Sequence, residues 1–385
     1  MVVSFVKKQS NKKIRRNNSF RDEKINIPYM KLRLIIKKYH AEAHMTFLQN
    51  KDTTRIRTAI LGATGLLGQE LIKAMSISEI PFSVPSLWAS PQPSQNTLEI
   101  ETTTGDHEVD VRPMEGSWID NLKGFDLVIC ALPMSVAKDV IPNLIDADLM
   151  VVDMSSVMSD AYPLQISGIA EYPEQFVDEQ VLSLPSAPVL MLSRLLDALS
   201  SLDWMGLRAE MYLSASAFGQ KGIQEMSQQV SALFHMVEPK RDVFPSGLAF
   251  DMIPSSSEQG WSHLEQKISR DLSQVFHFPQ SQFAIGVSVM PIFTGMAASV
   301  QIVTSESVQL EDIQILLDNS LHMQYAHPVP GPRRLTGVSK IFCGRFRQDP
   351  MGDGFYLWCS ADNLYAGSIL NTLDMIDLFW KDGRF

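Results

Sequence analysis

The sequence predicts an α/β fold: a doubly wound parallel sheet followed by an α+β domain with a mixed, largely antiparallel sheet. Three observations carry this. An apolar run, Thr58-Ala59-Ile60-Leu61, feeds into Gly62-Ala63-Thr64-Gly65-Leu66-Leu67-Gly68 and then into a helical pattern. Residues 126–132 and 150–153 are short, continuously apolar runs between turn signals, as expected of parallel strands buried on both faces. Past about residue 185 the texture changes to longer alternating segments with helices between them.

The elements follow in order. Residues 1–55 are basic, polar and without sustained periodicity; Leu32-Arg33-Leu34-Ile35-Ile36-Lys37-Lys38 is an apolar cluster within them. They read as a disordered extension or as translated sequence upstream of the true start, with Met45 at a suitable distance from the first strand. A basic arm touching nucleic acid or membrane is the alternative. The strand–turn–helix at 58–75 then suits a dinucleotide. Gly62 permits the turn, Gly65 lets backbone approach a ligand, and Gly68 lets helix pack on strand. The N–H groups of the helix start suit a pyrophosphate. Phe82 to Ala89 is expected as the second strand, and Pro91-Gln92-Pro93-Ser94-Gln95 as a loop. Ser135 to Ile145 reads as a helix capped by Ser135. Together, 56–185 form a Rossmann-type dinucleotide-binding domain, completed by 363–385. Residues 186–362 form the α+β domain. Within it lie a helix at 189–200, strands around 208–215, 286–292 and 297–304, and helices near 223–234 and 262–276. Pro254-Ser255-Ser256-Ser257 is loop-like, and a last helix runs over 365–380 with Ile369, Leu370, Leu373, Ile376 and Leu378 on one broad face.

Composition narrows the function classes. The formal net charge of −10 hides an asymmetry: residues 1–44 carry 12 Lys/Arg against 3 Asp/Glu, leaving 21 against 40 in the remainder. An acidic body argues against nucleic acid as the main partner. No apolar run reaches the roughly 18 residues of a membrane span. The three cysteines, Cys130, Cys343 and Cys359, give no paired framework, which fits a reducing cytoplasm. His235, His263, His277 and His322 stand without Cys or carboxylate partners at ligand spacing, so no metal site is expected.

Seven segments, in order over roughly residues 56–380, resemble the aspartate-semialdehyde dehydrogenase family. They are Gly62-Ala63-Thr64-Gly65, Ala131-Leu132-Pro133, Val152-Asp153-Met154-Ser155-Ser156, Leu184-Pro185-Ser186-Ala187, Gly219-Gln220-Lys221-Gly222, Cys343-Gly344-Arg345-Phe346-Arg347 and Ala361-Asp362-Asn363-Leu364. The family reduces an acyl phosphate to an aldehyde with NADPH, using a cysteine nucleophile, a histidine acid/base and arginines for the substrate's carboxylate and phosphate. The resemblance implies a homodimer joined through the α+β domain. It also implies an NAD or NADP site built from Gly62, Thr64, Gly65, Leu66, Leu67, Gly68, Ser90, Leu132, Pro133, Gly219 and Asn363.

The same alignment implies that the reacting groups are gone. Ala187 stands where the thiol belongs, after Pro185-Ser186, and Met296 stands where the histidine belongs, after Pro291–Gly295. Val289 replaces the carboxylate-holding arginine, and Ser159 falls at about the phosphate-holding one. A methyl cannot attack a carbonyl, and a thioether cannot shuttle protons at neutral pH. Ala89-Ser90 leads into Pro91-Gln92-Pro93 with no cation for a 2′-phosphate, and no carboxylate ends the second strand, so NAD is penalised less than NADP. Lys267 and Asp271 keep a family Lys-x-x-x-Glu spacing with Asp for Glu, either as a solvated i,i+4 pair or as a remnant of the substrate site. The scaffold residues Asp153, Ser155, Gly222, Gly367 and Asn371 remain. This pattern resembles the Usg-type bacterial paralogues of the family. Two hypotheses follow: a non-catalytic ligand- or partner-binding homodimer, and an NAD(P)-dependent oxidoreductase acting on an aldehyde or oxo group by a changed mechanism. The stretches Ala297–Val303 and Met211–Ala217 are the expected dimer surface.

Overall fold

A computed structural model describes residues 55–91, 95–102, 105–169, 180–255, 257 and 260–383. The basic extension at 1–54 and the loop residues 92–94 lie outside the described residues. Two seven-stranded sheets organise the rest.

In the first sheet, β1 (Thr58–Leu61) is central and pairs in parallel with both β2 (Ser86–Ala89) and β5 (Leu127–Cys130). Beyond β5 lie β6 (Val151–Asp153) and β7 (Val181–Ser183), also parallel. The four residues of β1 and of β5 are all buried, the signature of strands covered on both faces. Helix α1 (Leu66–Ser76) covers one face, sharing a core with β1, β2 and the C-terminal helix. Helix α2 (Met134–Asp146) covers the other through Ala137, Ile141 and Leu144. Beyond β2, the antiparallel hairpin β3 (Thr97–Thr102) and β4 (Gly105–Pro113) extends the sheet, with β4 parallel to β2. Its alternating Leu98, Ile100, Val109 and Val111 make a half-buried edge.

The second sheet runs β12-β13-β14-β11-β8-β10-β9 and is mixed, with four antiparallel and two parallel neighbours. Its strands are β8 (Trp204–Leu213), β9 (Ile253–Pro254), β10 (Phe283–Val289), β11 (Met296–Thr304), β12 (Met323–Tyr325), β13 (Ile341–Gln348) and β14 (Gly354–Ala361). One face packs with α3 (Ala187–Ala198), α5 (His263–Phe276) and α6 (Leu310–Asp318) in one apolar cluster. Helix α4 (Gly219–Phe234) buries Glu225, whose carboxylate accepts the N–H groups of Asp242 and Phe244 at 2.9 and 2.8 Å and so fixes the following loop. After β14, a π-helical turn over Tyr365–Ile369 leads into α7 (Leu370–Lys381), which returns to the first sheet.

Several expectations are corrected. The second strand starts at Ser86; Phe82 makes only an isolated bridge with Ile56. Ser135 lies inside α2, whose N-cap is Pro133. Pro254, expected in a loop, pairs with Ser288 of β10, and Ser256 lies outside the described residues. In α7 the buried apolar residues are Leu373, Met375, Ile376 and Phe379, beside buried Asn371 and Thr372; Leu370 and Leu378 are half-buried. Within the expected dimer surface, Met211, Leu213, Val300 and Ile302 point into the core and are not available for contact, whereas Tyr212 and Val303 are half-buried and Ala217 is exposed. The opposite face of those strands carries Tyr212 stacked on Trp358 (5.4 Å), both half-buried, with Arg208 exposed.

Candidate functional site

The glycine turn is built from backbone. Gly62 sits at φ +84°, a conformation that penalises a Cβ, and an added Cβ would lie 2.7 Å from the Ala131 carbonyl oxygen. Gly62 and Ala63 both donate to the Trp88 carbonyl at 2.8 and 3.0 Å, tying the turn to the end of β2. Gly65 is the N-cap of α1 with no side-chain cap, and no acidic residue follows in the first turn. The helix start therefore keeps its donors and partial positive charge for an anion. A Cβ on Gly68 would press on Gly62 backbone and lie 3.0 Å from the Ala63 Cα, so this glycine sets how closely α1 meets β1. Thr64, Leu66 and Leu67 line the same turn half-buried. Leu132 approaches it from the end of β5, where its Cδ2 would meet a Cβ on Gly62 at 3.2 Å, and Pro133 follows exposed. Ser90 is exposed just past β2. Beneath, the Cys130 thiol is fully buried and burial pushes its pKa up to about 12, so it is no nucleophile.

The hairpin supplies a residue the sequence reading missed. Arg112, opposite Trp88 in the β2–β4 register, places its guanidinium 5.6 Å from the Trp88 ring centroid. It is exposed at the C-terminal end of β4, beside the end of β2. No residue near Ala89 in sequence is cationic; the strand register brings one across.

The remaining predicted residues form a second group. Ala187 is the first residue of α3, half-buried, and Met296 is the first residue of β11, fully buried. They converge on Gly367 in the π-helical turn: a Cβ there would lie 2.9 Å from Ala187 Cβ and 3.2 Å from Met296 Cε. Asn363 stands nearby, its Oδ1 accepting from Gly295 N at 2.8 Å and from Ser216 Oγ at 2.9 Å. Gly219, at φ +68°, opens α4 with free space where a Cβ would stand. Val289 does not join the group; it packs with Ala215, Phe244 and Leu248 in a separate apolar cluster.

Ser159 belongs to a third cluster. Asp153, buried at the end of β6, accepts from Ser155 N (2.8 Å), Ser155 Oγ (2.6 Å) and Met158 N (3.0 Å), which folds the chain back to present Ser159. Lys267 Nζ donates to Ser159 Oγ at 2.7 Å and to Asp271 at 2.9 Å, and Ser159 Oγ donates to Asp271 Oδ1 at 3.1 Å. The Asp271 side chain is 0 % exposed and that of Lys267 14 %, so this is an enclosed ion pair and not a solvated one. Burial holds the Asp271 carboxyl above its ordinary range despite Lys267 and Ser159. Among the described residues no group of three or more His, Cys, Asp and Glu could hold a metal ion, and no helix is long and apolar enough to cross a membrane.

An anion-receptive glycine turn on one sheet, and a junction of Ala187, Met296 and Gly367 at the start of the other sheet's central strand, define a two-domain architecture of the Rossmann-plus-α+β class. Comparisons with known proteins agree. Residues 57–175 match the family described as semialdehyde dehydrogenase, NAD binding domain, and residues 192–366 match semialdehyde dehydrogenase, dimerisation domain. The chain belongs to the semialdehyde dehydrogenase family. It is 25 % identical over 347 residues to the aspartate-semialdehyde dehydrogenase of Aquifex aeolicus, covering 85 % of this chain and 98 % of that one. It is equally 25 % identical, over 345 residues, to the USG-1 protein homolog of Azotobacter vinelandii (86 % and 99 % covered). In fold it resembles the crystal structure of aspartate semialdehyde dehydrogenase II from Vibrio cholerae complexed with ASA, with a TM-score of 0.76 at 22 % identity over 86 % of this chain and 99 % of that one.

Proposed function

We propose that this chain is a member of its family that has lost the parent dehydrogenase chemistry and works as a non-catalytic, ligand- or partner-binding homodimer, holding a nicotinamide dinucleotide at the glycine turn. The observation that carries the reading is the meeting of Ala187 and Met296 at Gly367. A methyl and a thioether at that junction can neither attack a carbonyl nor move a proton. The enclosed Ser159–Lys267–Asp271 cluster supports it: the lysine's charge is already neutralised by a buried carboxylate and is not free for a phosphate. The backbone-built turn and its uncapped helix start support retained nucleotide binding. The face carrying Tyr212 and Trp358 is our candidate for the dimer contact.

The test has two arms. Incubated with aspartate semialdehyde, phosphate and NADP, the wild-type chain should give no phosphate-dependent NADP reduction, and Ala187→Cys alone should not create it; turnover by wild type refutes the reading. Thermal shift with NAD, NADH and NADPH should raise the melting point with at least one, because a ligand at 100 times its Kd stabilises by about 2.7 kcal/mol. The absence of any shift removes the nucleotide from the proposal. Hydride transfer needs only positioning and an oxyanion donor, so NADH oxidation by an aldehyde without phosphate would favour the oxidoreductase of changed mechanism.

A further inference from the structure

Cys343 and Cys359 are direct cross-strand partners in the antiparallel pair β13–β14. Both are fully buried and both are free thiols, with Sγ atoms 2.8 Å apart. Directly opposed residues in an antiparallel pair have Cα atoms about 4.5–5.5 Å apart, inside the roughly 4.4–6.8 Å that a disulfide spans. The strands already hold the two sulfurs in contact across the pair.

We propose that Cys343 and Cys359 form an oxidation site: a paired dithiol that hydrogen peroxide converts to an intrachain disulfide stapling β13 to β14. One thiol attacks the peroxide oxygen, the O–O bond breaks, and a sulfenic acid and one water form. The second sulfur then attacks the sulfenic sulfur, the S–S bond forms, and a second water leaves with the remaining proton. Two S–H groups are oxidised and one peroxide is reduced.

The surroundings give the bond a place in the structure. The β13–β14 register shifts between Gly344 and Arg347, and Arg345 takes a positive φ of 55°, so the ladder is interrupted one pair beyond Cys343–Cys359, after Gly344–Trp358. On its other side β13 pairs with the three-residue β12, and the Cys343 carbonyl accepts from Ala326 N at 2.8 Å just beyond it. This weak ladder is also the route by which a small oxidant reaches a buried pair, through local opening. Burial raises the Cys343 thiol pKa, so oxidation is slow in the closed protein. The strands bracket the candidate site: Gly337 N, ahead of β13, donates to Asp362 Oδ2 at 2.5 Å, just after β14. The staple therefore locks the strand pair that holds Asp362 and Asn363.

The native full-length chain is treated with hydrogen peroxide, quenched, denatured and alkylated, and its intact mass and peptides are read. The expected result is loss of two hydrogens, one alkylatable thiol left from three, and a Cys343–Cys359 linked peptide with Cys130 alkylated. Dithiothreitol should reverse it. Cys130→Ala should still form the link, and Cys359→Ala should abolish it. The proposal is overturned if the treated wild type keeps all three thiols, or if its new disulfides join separate chains. The wild-type measurement needs no variant to fold.

Discussion

If the Ser159–Lys267–Asp271 cluster is a closed ion pair, replacing Lys267 by Met should destabilise the protein in a pH-dependent way. The Asp271 side chain is 0 % exposed and Lys267 14 %, and their closest approach is 2.9 Å. Removing one partner of a buried pair strands the other charge, which costs about 3–5 kcal/mol. Ser159 remains as a donor at 3.1 Å, so the lower end, about 3 kcal/mol at neutral pH, is expected. The sign of the pH effect follows from the raised carboxyl of Asp271. A carboxyl with a raised native pKa favours the native state fully below its ordinary unfolded value, and that contribution is lost as pH rises through the native value. Loss of Lys267 removes two of the influences that hold the native value down, its charge and its hydrogen bond. The native value climbs further and the loss with rising pH deepens. Urea denaturation at about pH 5 and pH 8 reads this directly: Lys267→Met should be close to wild type at the lower pH and most impaired at the higher. Adding Asp271→Asn to that variant should recover most of the deficit. A loss under about 1 kcal/mol, or one equal at both pH values, refutes the enclosed pair and returns Lys267 as a cation free for substrate.

Two further predictions concern the glycine turn. Gly68→Ala should cost about 1–3 kcal/mol by overpacking and weaken nucleotide binding, because its Cβ meets Gly62 and Ala63 backbone and not a flexible side chain; calorimetric titration beside a denaturation curve checks both, and an unchanged variant sinks the close-packing account. Arg112→Gln should weaken NADPH about tenfold and leave NADH unchanged, since one charge-assisted contact to a 2′-phosphate is worth about 1.4 kcal/mol or more. Equal Kd values for wild type and variant would leave Arg112 a surface residue held on Trp88.

What was legible in the sequence was local. The strand–turn–helix at 58–76 announces itself because glycine spacing and apolar periodicity lie within one short segment. The helix near 262–276 was likewise legible from its periodicity; the capping box of Ser262 and Glu265 at its start is seen in the structure. The β3–β4 hairpin went unread although Leu98, Ile100, Val109 and Val111 alternate, because charged residues dominate a half-buried edge and blur the period. With the hairpin missed, Arg112 could not be placed beside β2. The helix spacing of Lys267 and Asp271 was visible, but their burial depends on Ser159, more than a hundred residues away and aimed by the Asp153 turn. The same limit applies to Val289: its position in the chain suggests the substrate site, and its packing against Phe244 does not.

The junction of Ala187, Met296 and Gly367 also bears on how reversible the change is. Between Leu364 and Ile369 the chain widens into a π-helical turn, with Leu364 and Tyr365 amides held by Asp362 Oδ1 at 2.7 and 3.2 Å. π-bulges commonly accompany functional sites. Here the turn lays the bare Cα of Gly367 against two apolar groups. Met296 has no exposed surface, so its side chain occupies space in addition to lacking a proton-carrying group. A thiol restored at position 187 would stand at the start of α3, where the helix N-terminus favours the thiolate, but it would face a thioether that cannot take its proton or later protonate an intermediate. A histidine restored at position 296 would be buried with its charged form disfavoured. Neither reversal alone supplies the nucleophile–base pair. On the proposed reading, recovery of the parent chemistry requires both together with a cation that Lys267, bound to Asp271, does not provide.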